Sequence, residues 1–158
     1  METATPLMLT SSTIPPGSKI PAQYACDGAD ISPPLSWSDV PAATGSLVLV
    51  VEDPDAPSSV FRHWAVFDIP PASRGLDAGY SANRPTTALD QARNDFGKTG
   101  YSGPCPPKGA GTHHYHFRLL AISRPTLDLK APTAALDVLR AAQPYVIQQT
   151  EIVGTYHR

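Results

Sequence analysis

Eighteen of the 158 residues are proline, roughly twice the ~5% of an average chain. They are spread along the sequence, with pairs at 15–16, 33–34, 70–71 and 106–107. Proline fixes φ and removes a backbone donor, so it is kept out of helix interiors and central strands. A globular chain this rich in proline consists of short strands joined by shaped loops. With 41% hydrophobic and 16% charged residues there is enough apolar surface for a packed core. No repeat or linker breaks the sequence, which reads as a single domain, 1–158.

Four segments carry strand signals. "SLVLVVEDPD" (46–55) is an apolar run ended by an acid-proline turn, the pattern of a buried central strand. "FRHWAVFDIP" (61–70) alternates, with His63, Ala65 and Phe67 on one face and Trp64, Val66 and Asp68 on the other, as a half-buried strand would. "HHYHFRLLAI" (113–122) and "YVIQQTEIVGTY" (145–156) follow, and weaker strands fit 6–12 and "PPLSW" at 33–37. The one helix signal is "TAALDVLRAAQ" (133–143), with Thr133 as its cap and Pro144 as its stop. Strand dominance with helix confined to the C-terminal quarter predicts a mainly β fold, a β-sandwich of antiparallel sheets.

The 12 basic and 14 acidic residues do not cluster by sign. Nucleic-acid binding needs a basic stripe to displace counterions, so that class of partner is not expected. No run approaches the ~20 apolar residues of a membrane helix, and the first residues lack a basic, then apolar, leader pattern. The chain reads as cytoplasmic, without a membrane span. Cys26 and Cys105 have no metal-knuckle or CxxC spacing. Free thiols are the favoured reading in that compartment, with a disulfide stapling two nearby loops as the alternative.

Residues 71–112 show little periodicity and end in "GPCPPKGAG", proline stiffness beside glycine permissiveness. Loops this long in compact domains are usually functional or disordered, and this one reads as a shaped wall. Directly after it come three of the five histidines, His113, His114 and His116. Strand alternation puts His113 with Tyr115, and His114 with His116 on the other face. Three histidines on one strand therefore cannot make one metal site. The turn "DPDAP" (53–57) sets Asp53 and Asp55 beside a further histidine, His63.

"DPDAP…RHW" followed by "GYSGPCPPKGAGTHHYHF", together with "CDGADISPPLSW" (26–37) and "EIVGTYHR", resembles the phosphatidylethanolamine-binding protein family, especially its bacterial YbhB/YbcL, or Raf-kinase-inhibitor-like, branch. The resemblance spans nearly the whole chain. It implies a β-sandwich of antiparallel, Greek-key sheets with a short C-terminal helix and a small preformed anion pocket. Carried over by motif, the ligand-binding residues are Asp53, His63, Pro107, His113 and Tyr115, with Asp55 buttressing the turn and Cys105 and Gly109 on the same loop. The ligand class it implies is phosphate, a phosphoethanolamine-like head group or a carboxylate. It further implies a protein target such as a kinase or protease, and homodimers.

The residue chemistry fits that class. Imidazoles and a tyrosine hydroxyl supply donors to an anion, and Asp53 can hold a histidine tautomer by accepting from its ring or, protonated, donate to the anion itself. No nucleophile with an adjacent base is apparent, so no catalytic residue, metal or cofactor is assigned. The competing reading is a metal-dependent hydrolase built on Asp53, His63 and His113. Tyr156 matches no gating tyrosine of the eukaryotic relatives.

Overall fold

Every residue of Ser46–Asp53 is buried, and the alternation of its side chains explains why its apolar run is unbroken. Leu47, Leu49 and Val51 belong to one core cluster, Val48 and Val50 to a second. A strand buried on both faces has no solvent side on which to place polar residues. The computed structural model describes residues 5–57, 59–82, 90–130 and 132–158. Its strands are β1 (Met8–Thr10), β2 (Leu35–Ser38), β3 (Ser46–Asp53), β4 (Phe61–Ile69), β5 (Gly75–Leu76), β6 (His113–Ile122) and β7 (Val146–Tyr156). One helix, α1 (Ala135–Ala142), lies between β6 and β7, and single 3-10 turns occupy Ala22–Tyr24 and Gln143–Tyr145.

The strands form two antiparallel sheets, of order β1-β2-β5 and β4-β3-β6-β7. Leu9, Leu35, Trp37 and Leu76 from the small sheet meet Leu49, Val51, Trp64, Phe117 and Leu119 from the large one in the first cluster. Ala135, Val138, Leu139 and Ala142 of α1 cover the other face over Val48, Val50, Ala65, Phe67 and Leu120. The expected mainly β fold with antiparallel sheets and a short C-terminal helix is what forms.

Three details differ from the sequence reading. β4 is not half-buried, since α1 and the small sheet enclose it from both sides: Trp64 and Val66 pack in one cluster, Ala65 and Phe67 in the other. Its alternation also breaks. Val51 pairs with Trp64, but the next residue, Glu52, pairs with Arg62, so His63 is the extra residue of a β-bulge. A bulge inserts one unpaired residue and re-aims its side chain. His63 thereby leaves the Ala65/Phe67 face and joins Phe61 and Asp53 in a cavity.

Thr133 does not cap α1. The N-cap position is Ala134, without a side-chain bond, and the buried first-turn amide of Ala135 donates instead to the Arg93 carbonyl at 3.0 Å. A neighbouring loop has replaced the side-chain cap, so Thr133→Ala should change stability by no more than ~0.5 kcal/mol in urea unfolding, against the ~1 kcal/mol of a lost cap.

The long segment 71–112 is a wall, as expected. It contributes β5, a bridge from Gln91 to Val66, and the Gln91 Oε1 that accepts from Trp64 Nε1 at 2.9 Å. Residues 83–89 of it lie outside the described residues.

Candidate ligand-binding site

At the end of the large sheet, Asp53 closes β3, Phe61 and His63 open β4, and His113 and Tyr115 open β6. Ala56 and Pro57 of the turn after β3, Phe96 from the long segment, and Cys105, Pro106 and Pro107 complete a cavity of about 170 Å³. That is below the ~300–1,000 Å³ of sites for drug-sized ligands and suits a group of a few heavy atoms.

Both histidines are buried, His63 at 3% and His113 at 5% exposure, and each has its Nδ1 tied to an acceptor. His113 Nδ1 lies 2.6 Å from Asp53 Oδ2. His63 Nδ1 lies 2.7 Å from the Ser102 carbonyl. A carbonyl oxygen can only accept, so His63 carries its proton on Nδ1, and the carboxylate dictates the same for His113. Each neutral ring is thus left with Nε2, an acceptor, for the cavity, and protonation turns it into a donor. Burial pushes the His63 pKa down, with the Ser102 carbonyl and the Asp53 charge acting weakly against it. Burial pushes the Tyr115 phenol up, with Asp53 adding to the effect, so Tyr115 remains a neutral donor.

Each Asp53 oxygen takes part in one hydrogen bond within the protein. Its Oδ1 accepts from the Asp55 amide at 2.8 Å, while Oδ2 holds His113. It orients the His113 ring from the cavity lining, and no trio of His, Cys, Asp or Glu side chains is gathered as a metal site among the described residues. Asp55 lies outside the cavity lining; its Oδ2 accepts from the His114 amide and meets the His114 ring, both at 2.8 Å. It buttresses the turn against β6. His114 and His116 lie off the cavity as alternation requires, with His116 Nδ1 3.2 Å from Glu151. Gly109 is also outside the lining, at φ +80°, with its amide donating to the Arg158 carbonyl.

Cys26 and Cys105 are joined in a disulfide with Cα atoms 5.4 Å apart, which corrects the expectation of free thiols. Sequence spacing is silent on this pair. The two loops meet because Gly103 lets them: a Cβ there would run into the Tyr24 carbonyl. The Gly103 amide donates to Asp30 Oδ1 at 2.7 Å and the Cys26 amide to the Pro104 carbonyl at 3.1 Å.

The sequence reading missed Phe61, Phe96 and the Ser102 carbonyl. Phe61 carried a signal, two residues before His63 on the same strand. Phe96 carried none, because it stands in an irregular loop. Asn94 positions that loop: its Oδ1 accepts from the amides of Phe96 and Lys98, and its Nδ2 donates to Gly100 O and Ser102 Oγ. Phe96 is 46% exposed and packs edge-on to Phe61, ring centroids 4.7 Å apart, at the cavity mouth.

A larger depression, of about 360 Å³, lies on the other side of the sheet around Glu52, His116, Arg118 and Glu151. Its charges neutralise one another, through Arg118–Glu52 at 2.8 Å, Arg62–Glu52 at 3.2 Å and His116–Glu151. The smaller cavity is therefore the better candidate for a charged ligand.

The family profile described as phosphatidylethanolamine-binding protein matches residues 10–157. A UPF0098 protein of Aquifex aeolicus is 43% identical over 142 residues, 90% of this chain and 83% of that protein. A Mycobacterium tuberculosis protein named as the lipoprotein LppC is 39% identical over 97% of this chain and 73% of its own length. The crystal structure of Escherichia coli YbcL, described as a member of the mammalian PEBP family, superposes with a TM-score of 0.90 at 32% identity, covering 98% of this chain and 99% of that one.

Proposed function

Because the chain belongs to the phosphatidylethanolamine-binding protein family, we propose that it is a non-enzymatic binding protein for a small anion: phosphate, a phosphorylated head group or a carboxylate. The observation that carries this reading is the pair of buried histidines, each with Nδ1 fixed by an acceptor, around a cavity of about 170 Å³ that also holds Tyr115. Protonated rings would each give a charge-assisted bond to the anion. A ligand that brings its own proton, such as a phosphate monoanion, could instead donate to a neutral Nε2. The hydrolase alternative draws no support from the geometry, since no group of three His, Cys, Asp or Glu side chains is gathered as a metal site among the described residues. A cytoplasmic setting, the expectation from the sequence, would expose the Cys26–Cys105 bond to reducing thiols.

Calorimetric titration of phosphate and phosphoethanolamine into the protein tests the proposal. Saturable binding of either supports it. Binding of neither, or a stoichiometric metal ion in the purified protein, would reject it.

Phe96 adds a specificity prediction. An anion seated between the histidines would carry its substituent out past the exposed ring. Phe96→Ala should weaken phenyl phosphate by about 2- to 10-fold, the ~0.5–1.5 kcal/mol of an aromatic contact, while inorganic phosphate changes little. Equal losses for both ligands would mean that Phe96 acts on the whole cavity rather than on the substituent.

A further inference from the structure

The wall of the cavity is held by a bond that chemistry can open. Cys105 lines the cavity, and its partner Cys26 sits on the loop after the 3-10 turn Ala22–Tyr24. Both cysteines are partly exposed, so a reductant can reach the bond. The loops also meet through the Cys26 amide on the Pro104 carbonyl and the Gly103 amide on Asp30, but beyond Pro104 the stretch it anchors has few bonds of its own. Pro106 and Pro107 have no amide hydrogen to donate, and residues 107–112 are all exposed. The backbone amides of this stretch donate within the loop, Ala110 N to Pro107 O, and to the C-terminus, Gly109 N to Arg158 O. Arg158 Nη1 also stands 3.6 Å from Cys105 Sγ, where its charge would stabilise a thiolate released there.

We propose that the Cys26–Cys105 disulfide is a redox latch on ligand binding: oxidised, it presses the Pro106–Pro107 wall against the histidines, and reduced, it releases that wall and weakens the anion. The proposal rests on the anion-pocket reading for its ligand. The co-reactant is a dithiol. One of its thiolates attacks a cysteine sulfur, the protein S–S bond breaks, and the other cysteine leaves as a thiolate. The second thiol of the reductant, deprotonated, then attacks the mixed disulfide and expels the remaining cysteine. Two electrons pass from the dithiol, which closes to its own disulfide, and the protein thiolates take up protons according to pH. The sheet that carries Asp53, His63 and His113 is bound by its own ladder and by both core clusters, so the change is local to the loop. Linkage makes the effect reciprocal: a ligand that binds the oxidised form better must oppose reduction by the same factor.

The test compares oxidised and dithiothreitol-reduced protein by calorimetric titration with inorganic phosphate, and by amide hydrogen exchange. The expected result is an affinity at least about 10-fold weaker after reduction, with protection lost around Cys26 and between 103 and 113 but kept in β3 and β6. The Cys26→Ser/Cys105→Ser variant should reproduce the reduced state without reductant, and saturating phosphate should raise the ratio of dithiol to its disulfide at half-reduction by the same factor. Unchanged affinity would overturn the latch. So would loss of protection throughout the sheet, which would make the disulfide a staple of the whole fold. If oxidised protein binds no phosphate, the anion-pocket reading fails by itself, while the exchange pattern still decides whether the bond holds the wall.

Discussion

Replacing His113 by alanine will weaken phosphate binding by about 10- to 150-fold, whereas replacing His116 will leave it within about twofold. The first figure is the ~1.5–3 kcal/mol of a hydrogen bond to a charged group, read as a ratio of dissociation constants in calorimetric titration. Both residues stand on β6, three positions apart, but strand alternation separates their environments. His113 is buried in the cavity, bonded to Asp53. His116 sits across the sheet, beside Glu151. The two substitutions will differ in stability as well. His113→Ala leaves the Asp53 carboxylate, 3% exposed, with the Asp55 amide as its remaining described hydrogen-bond partner. An orphaned buried group costs about 1–3 kcal/mol, so binding must be measured well below the unfolding transition. Equal losses of affinity from the two variants would refute the assignment of the cavity to one face of β6.

That contrast could be drawn from the sequence because alternation holds along β6 without interruption. His113 pairs with Tyr156 and Phe117 with Ile152 at constant offset. The same reasoning failed on β4, where one inserted residue shifts every position before it relative to every position after it. Counting from Ala65 and Phe67 puts His63 on the wrong face, and only the pairing with β3 exposes the bulge. The resemblance of the "RHW" motif placed His63 in the pocket where periodicity placed it elsewhere. Helix α1 shows another limit. Its apolar spacing identified the element, but its N-terminus is completed by Arg93, a residue far away in sequence. Long-range partners of this kind, the disulfide and the Phe96 loop among them, leave no local pattern to read. The central strand was legible for the opposite reason: burial on both faces writes itself into consecutive residues.

The second large effect concerns pH. Sulfate binding will strengthen by up to about 10-fold per pH unit for each proton taken up as pH falls from about 7.5 to about 5.5, and phosphate binding will rise less steeply. Sulfate remains unprotonated across this range, so it has no hydrogen to offer a neutral Nε2. It can be held by the two rings only when they are protonated. Phosphate gains a proton within the range and can donate it. Without ligand, the sign for folding is opposite. Burial lowers the His63 pKa, so the unfolded chain takes up this proton first, near pH 6.5, and the contribution of neutral His63 to stability is lost as pH falls from there toward the lowered folded value. A bound anion supplies the missing counter-charge and brings the bound-state pKa back up, which is why binding and protonation must be coupled. Tyr115 stays a neutral donor throughout, its phenol raised by burial. Melting temperatures with and without sulfate provide an independent reading: the stabilisation by sulfate should grow toward acid pH even as the ligand-free protein weakens. A sulfate affinity that does not change between the two pH values would show that the imidazoles are not the groups holding the anion.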